Sequence, residues 1–168
     1  MMISNGWWIK TQGIFVAVLM ALLISLTSAQ AHECLNPYGE KNYQRALPLC
    51  EALAQQNDPL ALFTLGEMYH NGYGVVLDHQ KSFQYFKQAA RAGHAGAQNN
   101  LGYYYYYGDV VAQDYKRAFV WFSLAAAAGF QAAGPFRDTA GMHLDKDQKI
   151  QAQAMATACQ KSKFVMCD

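Results

Sequence analysis

Moved along itself by 36 positions, the 168-residue chain falls into register with itself, and this self-similarity restricts the fold more than any other feature. Leu65-Gly66 meet Leu101-Gly102, Tyr69 meets Tyr105, Gly72 meets Gly108, Val75 meets Val111 and Asp78 meets Asp114. Phe83 and Phe86 meet Phe119 and Phe122, and Ala89-Ala90, Ala92 and Gly93 meet Ala125-Ala126, Ala128 and Gly129. One further step back finds a degenerate half unit. There Asn42 stands for Asp78, Ala46 for Ser82, Ala54 for Ala90 and Asn57 for Gly93. These exchanges preserve backbone roles. Asn and Asp side chains both cap helix N-termini, and Asn and Gly both tolerate the left-handed turn that ends a helix.

Each unit therefore reads as helix, turn, helix. First helices are predicted over 59–70 and 95–107, with Asp58 as cap and Pro59 as first helical residue. Second helices are predicted over 43–55, 79–92 and 115–128. Phe83, Phe86 and Ala90 fall on one face of such a helix, as do Phe119, Phe122 and Ala126. Gly66 and Gly102 sit inside helices, where glycine costs about 1 kcal/mol against alanine, so close approach of a neighbouring backbone is expected at both. After Gly129 the register fails, because Arg137-Asp138 occupy the next Leu-Gly position. A last helix is expected from Asp145, with Gln148 completing a capping box and Ile150, Ala154, Ala158 and Phe164 facing the array. With no strand periodicity, the fold class is an all-α, α/α solenoid closed by terminal capping helices.

Composition narrows the function. With 52% hydrophobic and 15% charged residues the chain is too apolar for disorder, and a formal charge of +1 offers no basic surface for nucleic acid. Residues 1–31 read as a signal peptide: Lys10, an apolar run of 11 residues over 14–24, then Ala29-Gln30-Ala31. Cleavage after Ala31 leaves basic and acidic side chains in equal number. An uncleaved anchor is the rival reading, but the run falls short of the about 20 residues a bilayer needs, so no stable membrane insertion is expected after cleavage. No small-residue lipobox precedes Cys34. A periplasmic or secreted location follows.

All four cysteines, Cys34, Cys50, Cys159 and Cys167, lie beyond the leader, and an even count in an oxidising compartment suggests two disulfides. Linear stacking separates the first helix from the last by more than a disulfide spans, so Cys34–Cys50 and Cys159–Cys167 are the expected pairs.

The run Leu65-Gly66-Glu67-Met68-Tyr69, with Gly72, Gly74-Val75, Asp78, Phe86, Ala89-Ala90 and Gly93, resembles a Sel1-like repeat. This family is related to the tetratricopeptide repeat. Leu101-Gly102, Tyr105, Gly108, Val111, Asp114, Ala118, Trp121-Phe122, Ala125-Ala126 and Gly129 resemble a second copy. Ser82 departs from the family's alanine, Cys50 from an aromatic, and Asp109 from the second turn-glycine region. The division is a signal peptide (1–31), an N-terminal segment and half repeat (32–57), repeats at 58–93 and 94–129, and a C-terminal cap (130–168). The resemblance implies a non-catalytic scaffold that binds a protein or peptide partner.

In tetratricopeptide geometry the inner face of the first helices carries Phe63, Glu67, His70 and Asn71, then Asn99, Tyr103, Tyr106 and Tyr107. These are the candidate partner-binding residues. Tyrosines bury much area at low entropy cost and still form hydrogen bonds, so such a face suits a peptide, a helix or a glycan. The other reading is that they only cover a neighbouring helix. Tyr104 and Tyr105 are expected in the core. His32, His70, His79, His94 and His143 show no ligand spacing, so neither metal nor cofactor is expected, and His79 and His94 are expected to be solvated beside caps. Asp145 and Asp147 suit a helix start through its dipole, and no serine-nucleophile motif occurs. The functional expectation is a non-catalytic adaptor in the bacterial envelope. A secreted effector bound to a host protein is one alternative, and an enzyme acting on cell-wall glycans is another. Oligomeric state is not read from the sequence.

Overall fold

The computed structural model describes residues 34–35, 38–164 and 167. The signal peptide expected over 1–31, and His32, lie outside the described residues. Seven α-helices of ten residues or more follow one another: α1 (Tyr43–Ala54), α2 (Pro59–Asn71), α3 (His79–Arg91), α4 (Ala95–Tyr107), α5 (Tyr115–Ala127), α6 (Ala133–Met142) and α7 (Lys146–Lys161). There is no strand among the described residues. Each of the first five packs on the next, and α7 folds back on α5. None is long and apolar enough to cross a membrane.

Local chemistry sets most of the helix ends. The Asp58 carboxylate accepts from the N–H groups of Leu60 (3.0 Å) and Ala61 (2.8 Å), with Pro59 in the first turn. Asp78 and Asp114 each accept from the N–H three residues on, at 2.9 Å. Asn42 does the same for α1. The left-handed positions recur as well, with φ of 58° at Asn57, 88° at Gly93 and 91° at Gly129. In α7 the Asp145–Gln148 capping box closes in both directions. Ala46, Ser82 and Ala118, which share one register position, are all fully buried. The half unit thus packs in phase with the full ones.

The mid-helix glycines are occupied differently from expectation. Their nearest neighbours are side chains rather than backbone. A Cβ on Gly66 would lie 2.6 Å from the Phe86 ring, and one on Gly102 would lie 2.5 Å from the Phe122 ring. Each unit drives its own second-helix phenylalanine into the hole its first helix leaves. A second interaction also repeats: Lys81 sits 5.1 Å from the Tyr69 ring centre, and Arg117 lies 5.5 Å from that of Tyr105.

The cysteines pair as Cys34–Cys50 and Cys159–Cys167, with Cα separations of 4.9 and 4.6 Å. One cystine ties the segment before α1 to that helix, and the other ties the tail to α7.

Two features beyond Gly129 depart from the sequence reading. Helix α6 takes the place of a third first-helix, although Leu-Gly is missing there. It packs through Ala133, Ala140 and Gly141, and Phe136 lies over Phe122 at 5.8 Å. Helix α7 turns a different stripe inward. Ala152, Ala156 and Cys159 are buried, whereas Ile150 is 59% exposed, Ala154 is exposed and Ala158 only half-buried. Small side chains let α7 lie close on α5, and Cys159 on that face is bonded to Cys167 of the tail. Of the four residues expected inward, Phe164 does reach the array, with its ring against Gly93.

Candidate functional site

The first helices of both units line one cavity of about 450 Å³. Helix α2 contributes Glu67, His70 and Asn71, which recur at helical spacing near its C-terminal end. Helix α4 contributes Asn100, Tyr103, Tyr104 and Tyr107, Phe86 comes from α3, and Asp109 follows the left-handed Gly108 that ends α4. Among the described residues no lysine or arginine lines the cavity.

A buried hydrogen-bond chain runs from the cavity wall into the core. The Ser82 hydroxyl donates to the Gly66 carbonyl (2.8 Å), and the Tyr104 hydroxyl donates to Ser82 Oγ (3.1 Å). His70 Nδ1 lies 3.1 Å from the Tyr104 oxygen. Tyr104 has one proton and spends it on Ser82, so His70 must donate from Nδ1. Burial holds the His70 pKa below its ordinary value. Repulsion from His79, whose ring centre is 5.0 Å away, acts in the same sense, and Asp109 opposes both.

Glu67 sits opposite this chain. The Tyr38 hydroxyl donates to its Oε2 at 3.1 Å, and the Asn71 amide donates to its main-chain carbonyl at 2.9 Å. Burial raises the Glu67 pKa, and the Tyr38 hydrogen bond only partly offsets this. Burial also raises the pKa of Tyr103 and of Tyr104. The Tyr103 and Tyr107 rings lie nearly parallel, 6.3 Å apart, while Phe122 and Phe136 meet Tyr103 edge-on. Tyr107 is 59% exposed, so its face is open to a ligand. Aromatic faces, two acids and two amides, with a neutral imidazole behind them, form a surface suited to recognition.

Five of the eight candidate residues, Glu67, His70, Asn71, Tyr103 and Tyr107, come together here. The other three do not. Phe63 stacks on His94 at 4.3 Å and packs against Phe86, which makes it part of the joint between units. Asn99 is buried and hydrogen-bonded to Tyr103. Tyr106 points away, to the Tyr115 ring at 5.3 Å and to His143 Nε2 at 3.4 Å. His94 also departs from expectation. It is not a solvated residue beside a cap; it is the cap of α4, its Nδ1 accepting from the Ala97 N–H at 3.2 Å. His79 is exposed as expected, and Tyr104 and Tyr105 are buried.

Sequence reasoning missed Phe86, Asn100, Asp109 and the wall formed by Tyr104. Asp109 lies in a turn, beyond the reach of a helix-face argument. Phe86 and Tyr104 carry the apolar periodicity of the core, and nothing in that signal says that a cavity opens beside them. Among the described residues no three His, Cys, Asp or Glu side chains gather so as to hold a metal ion.

Residues 59–94 and 95–130 each match the Sel1 repeat. A Sel1 repeat protein from Oxalobacter formigenes is similar over 67% of this chain and 88% of its own, with 37% identity and a TM-score of 0.59. The structure of c5321, described as a protective antigen of uropathogenic Escherichia coli strains with an SLR fold, is similar over 82% of this chain, with 27% identity and a TM-score of 0.73. The present chain spans 31% of that protein's length. No curated protein matches the sequence.

Proposed function

This chain belongs to the Sel1 repeat family, whose members generally mediate protein–protein interaction, and on that premise we propose that it is a non-catalytic adaptor exported to the bacterial envelope. The cavity between α2 and α4 is its partner-binding site. The observation that carries this reading is the grouping of Glu67, His70, Asn71, Tyr103 and Tyr107, drawn from two successive repeats, around one open cavity. A stacked array creates a concave face that no single unit has, and ligand contacts collect there. Two cystines and the leader pattern of residues 1–31 support an oxidising destination outside the cytoplasm.

Crosslinking in the native cell, followed by mass spectrometry, tests the proposal. Wild type is compared with Tyr103→Ala/Tyr107→Ala and with Tyr106→Ala, each checked for helical circular dichroism. The cavity variant is expected to lose crosslinks that the Tyr106 variant keeps. Identical crosslinks for all three folded proteins would remove the binding role from this face.

A further inference from the structure

The cavity has a charge character that the repeat does not require. At the register position of Glu67 the second unit has Tyr103, and at that of Asp109 the first unit has Tyr73. Both acids therefore stand where the fold accepts an aromatic residue. They nevertheless line the same cavity, with no lysine or arginine in its lining among the described residues, in a chain whose overall formal charge is +1. Local negative charge in a nearly neutral protein is a property of this site.

Glu67 adds a second argument. Its carboxylate is partly desolvated and, among the described residues, accepts from the neutral Tyr38 hydroxyl on Oε2. A carboxylate in that position weakens the free protein, and a cation brought by a partner would relieve it. The remaining walls suit the same visitor. The rings of Tyr103 and Tyr107 attract a cation through their π systems, most strongly where water is excluded. The volume lies within the range of about 300–1,000 Å³ typical of ligand pockets, enough for a long side chain and its adjoining backbone.

We propose that the cavity between α2 and α4 receives a lysine or arginine side chain from an exposed segment of the protein partner, with Glu67 and Asp109 pairing its charge and Tyr103 and Tyr107 packing along its stem. This rests on the adaptor reading and goes beyond it by naming the chemistry that the partner presents.

The test uses the purified full chain on a library of immobilised random octapeptides. Three proteins are compared: wild type, Glu67→Gln/Asp109→Asn, and Tyr103→Ala/Tyr107→Ala. Asp109→Asn alone, at an exposed turn, serves as a variant with no folding liability. The expected result is a wild-type selection enriched in lysine or arginine at one position. Binding of the selected peptides should fall about tenfold or more in the Glu67→Gln/Asp109→Asn protein. It should fall similarly when citrulline or acetyl-lysine replaces the basic residue, and it should weaken with added salt. Asp109→Asn alone should show a smaller loss in the same direction. Peptides that need Tyr103 and Tyr107 but carry no basic residue, and that bind the Glu67→Gln/Asp109→Asn protein unchanged, would overturn this inference and leave the adaptor reading standing. Displacement of selected peptides by a neutral saccharide but not by a basic peptide would also overturn it. A library in which no binding depends on Tyr103 and Tyr107 would remove both.

Discussion

The two repeat units, α2 with α3 and α4 with α5, share a register and differ in what they bury. Both seat a phenylalanine against a glycine, both cap the second helix with aspartate, and both lay a cation over a tyrosine. Behind these shared contacts the first unit holds a polar chain, His70–Tyr104–Ser82–Gly66. In the second unit the matching residues of the unit itself are Tyr106, Ala118 and Gly102, and no such chain forms. The aromatic pair beside it changes in parallel, from His70–His79 to Tyr106–Tyr115. A repeat fixes the contacts each unit makes with itself. Contacts between units are free to diverge, and Tyr104, which completes the first unit's chain, comes from the second.

The largest test of this contrast compares Tyr85 with Trp121, which share a register position. Trp121 is fully buried on α5, the helix on which α6 and α7 both pack, whereas Tyr85 is half-buried and stacked on Tyr69 at 5.5 Å. Trp121→Ala should cost about 3–5 kcal/mol. Tyr85→Ala should cost about 1–2 kcal/mol, since it loses one aromatic pair and part of its burial. Chemical denaturation of both variants measures the difference, and equal costs would mean that the terminal helices do not protect the second unit.

A smaller effect is expected at Ser82. Ser82→Ala leaves the first unit with the second unit's alanine, removes the donor to the Gly66 carbonyl and frees the Tyr104 hydroxyl. The expected loss is about 1–2 kcal/mol. Near-neutral unfolding data would mean that the chain of hydrogen bonds adds nothing to the first unit beyond what Ala118 gives the second.

The smallest expected effect concerns the caps of the first helices, Asp58 on α2 and His94 on α4. Burial lowers the His94 pKa, so the folded state resists a proton that the unfolded chain accepts at the ordinary histidine value of about 6.5. The unfolded state then binds more protons, and stability falls as pH drops through that value toward the folded pKa. Protonation also removes Nδ1 as the acceptor for the Ala97 N–H. His94→Asp gives both units the same cap. It should gain about 1 kcal/mol relative to wild type between pH 7.5 and pH 5.5. Glu67 acts in the opposite sense, because its raised pKa favours the protonated folded state above 4.5, but it is common to both proteins and cancels in the comparison. Thermal unfolding at the two pH values reads the difference, and parallel pH profiles would show that the imidazole cap does not titrate with folding.

Helix ends in the two full units were legible from the sequence because their signals are local. Asp58-Pro59, Asp78 and Asp114 satisfy N–H groups two or three residues away, and Gly72 and Gly108 turn the chain at the far end. Helix α6 carried no such mark: its start has no side-chain cap, and its packing residues are alanine and glycine. In α7 two stripes fit the helical period, one through Ile150 and Ala154 and the other through Ala152 and Ala156, so periodicity did not decide between them. The candidate site divides in the same way. Glu67, His70 and Asn71 were placed by spacing along one helix. Phe63, Asn99 and Tyr106 fall outside the cavity because the rotation of α2 and α4 about their axes depends on what presses against them.

From the sequence alone came the repeating hairpin, its capped boundaries and the pairing of its cysteines, because backbone hydrogen bonding and chain reach act over a few residues or a single unit. Tertiary packing decided which stripe of α7 turned inward, that phenylalanine rings filled the space at Gly66 and Gly102, and that acids from two different units lined one cavity. Those outcomes depend on the angle and separation at which neighbouring helices settle. Side-chain volumes from several helices fix that angle jointly, and no one segment encodes it.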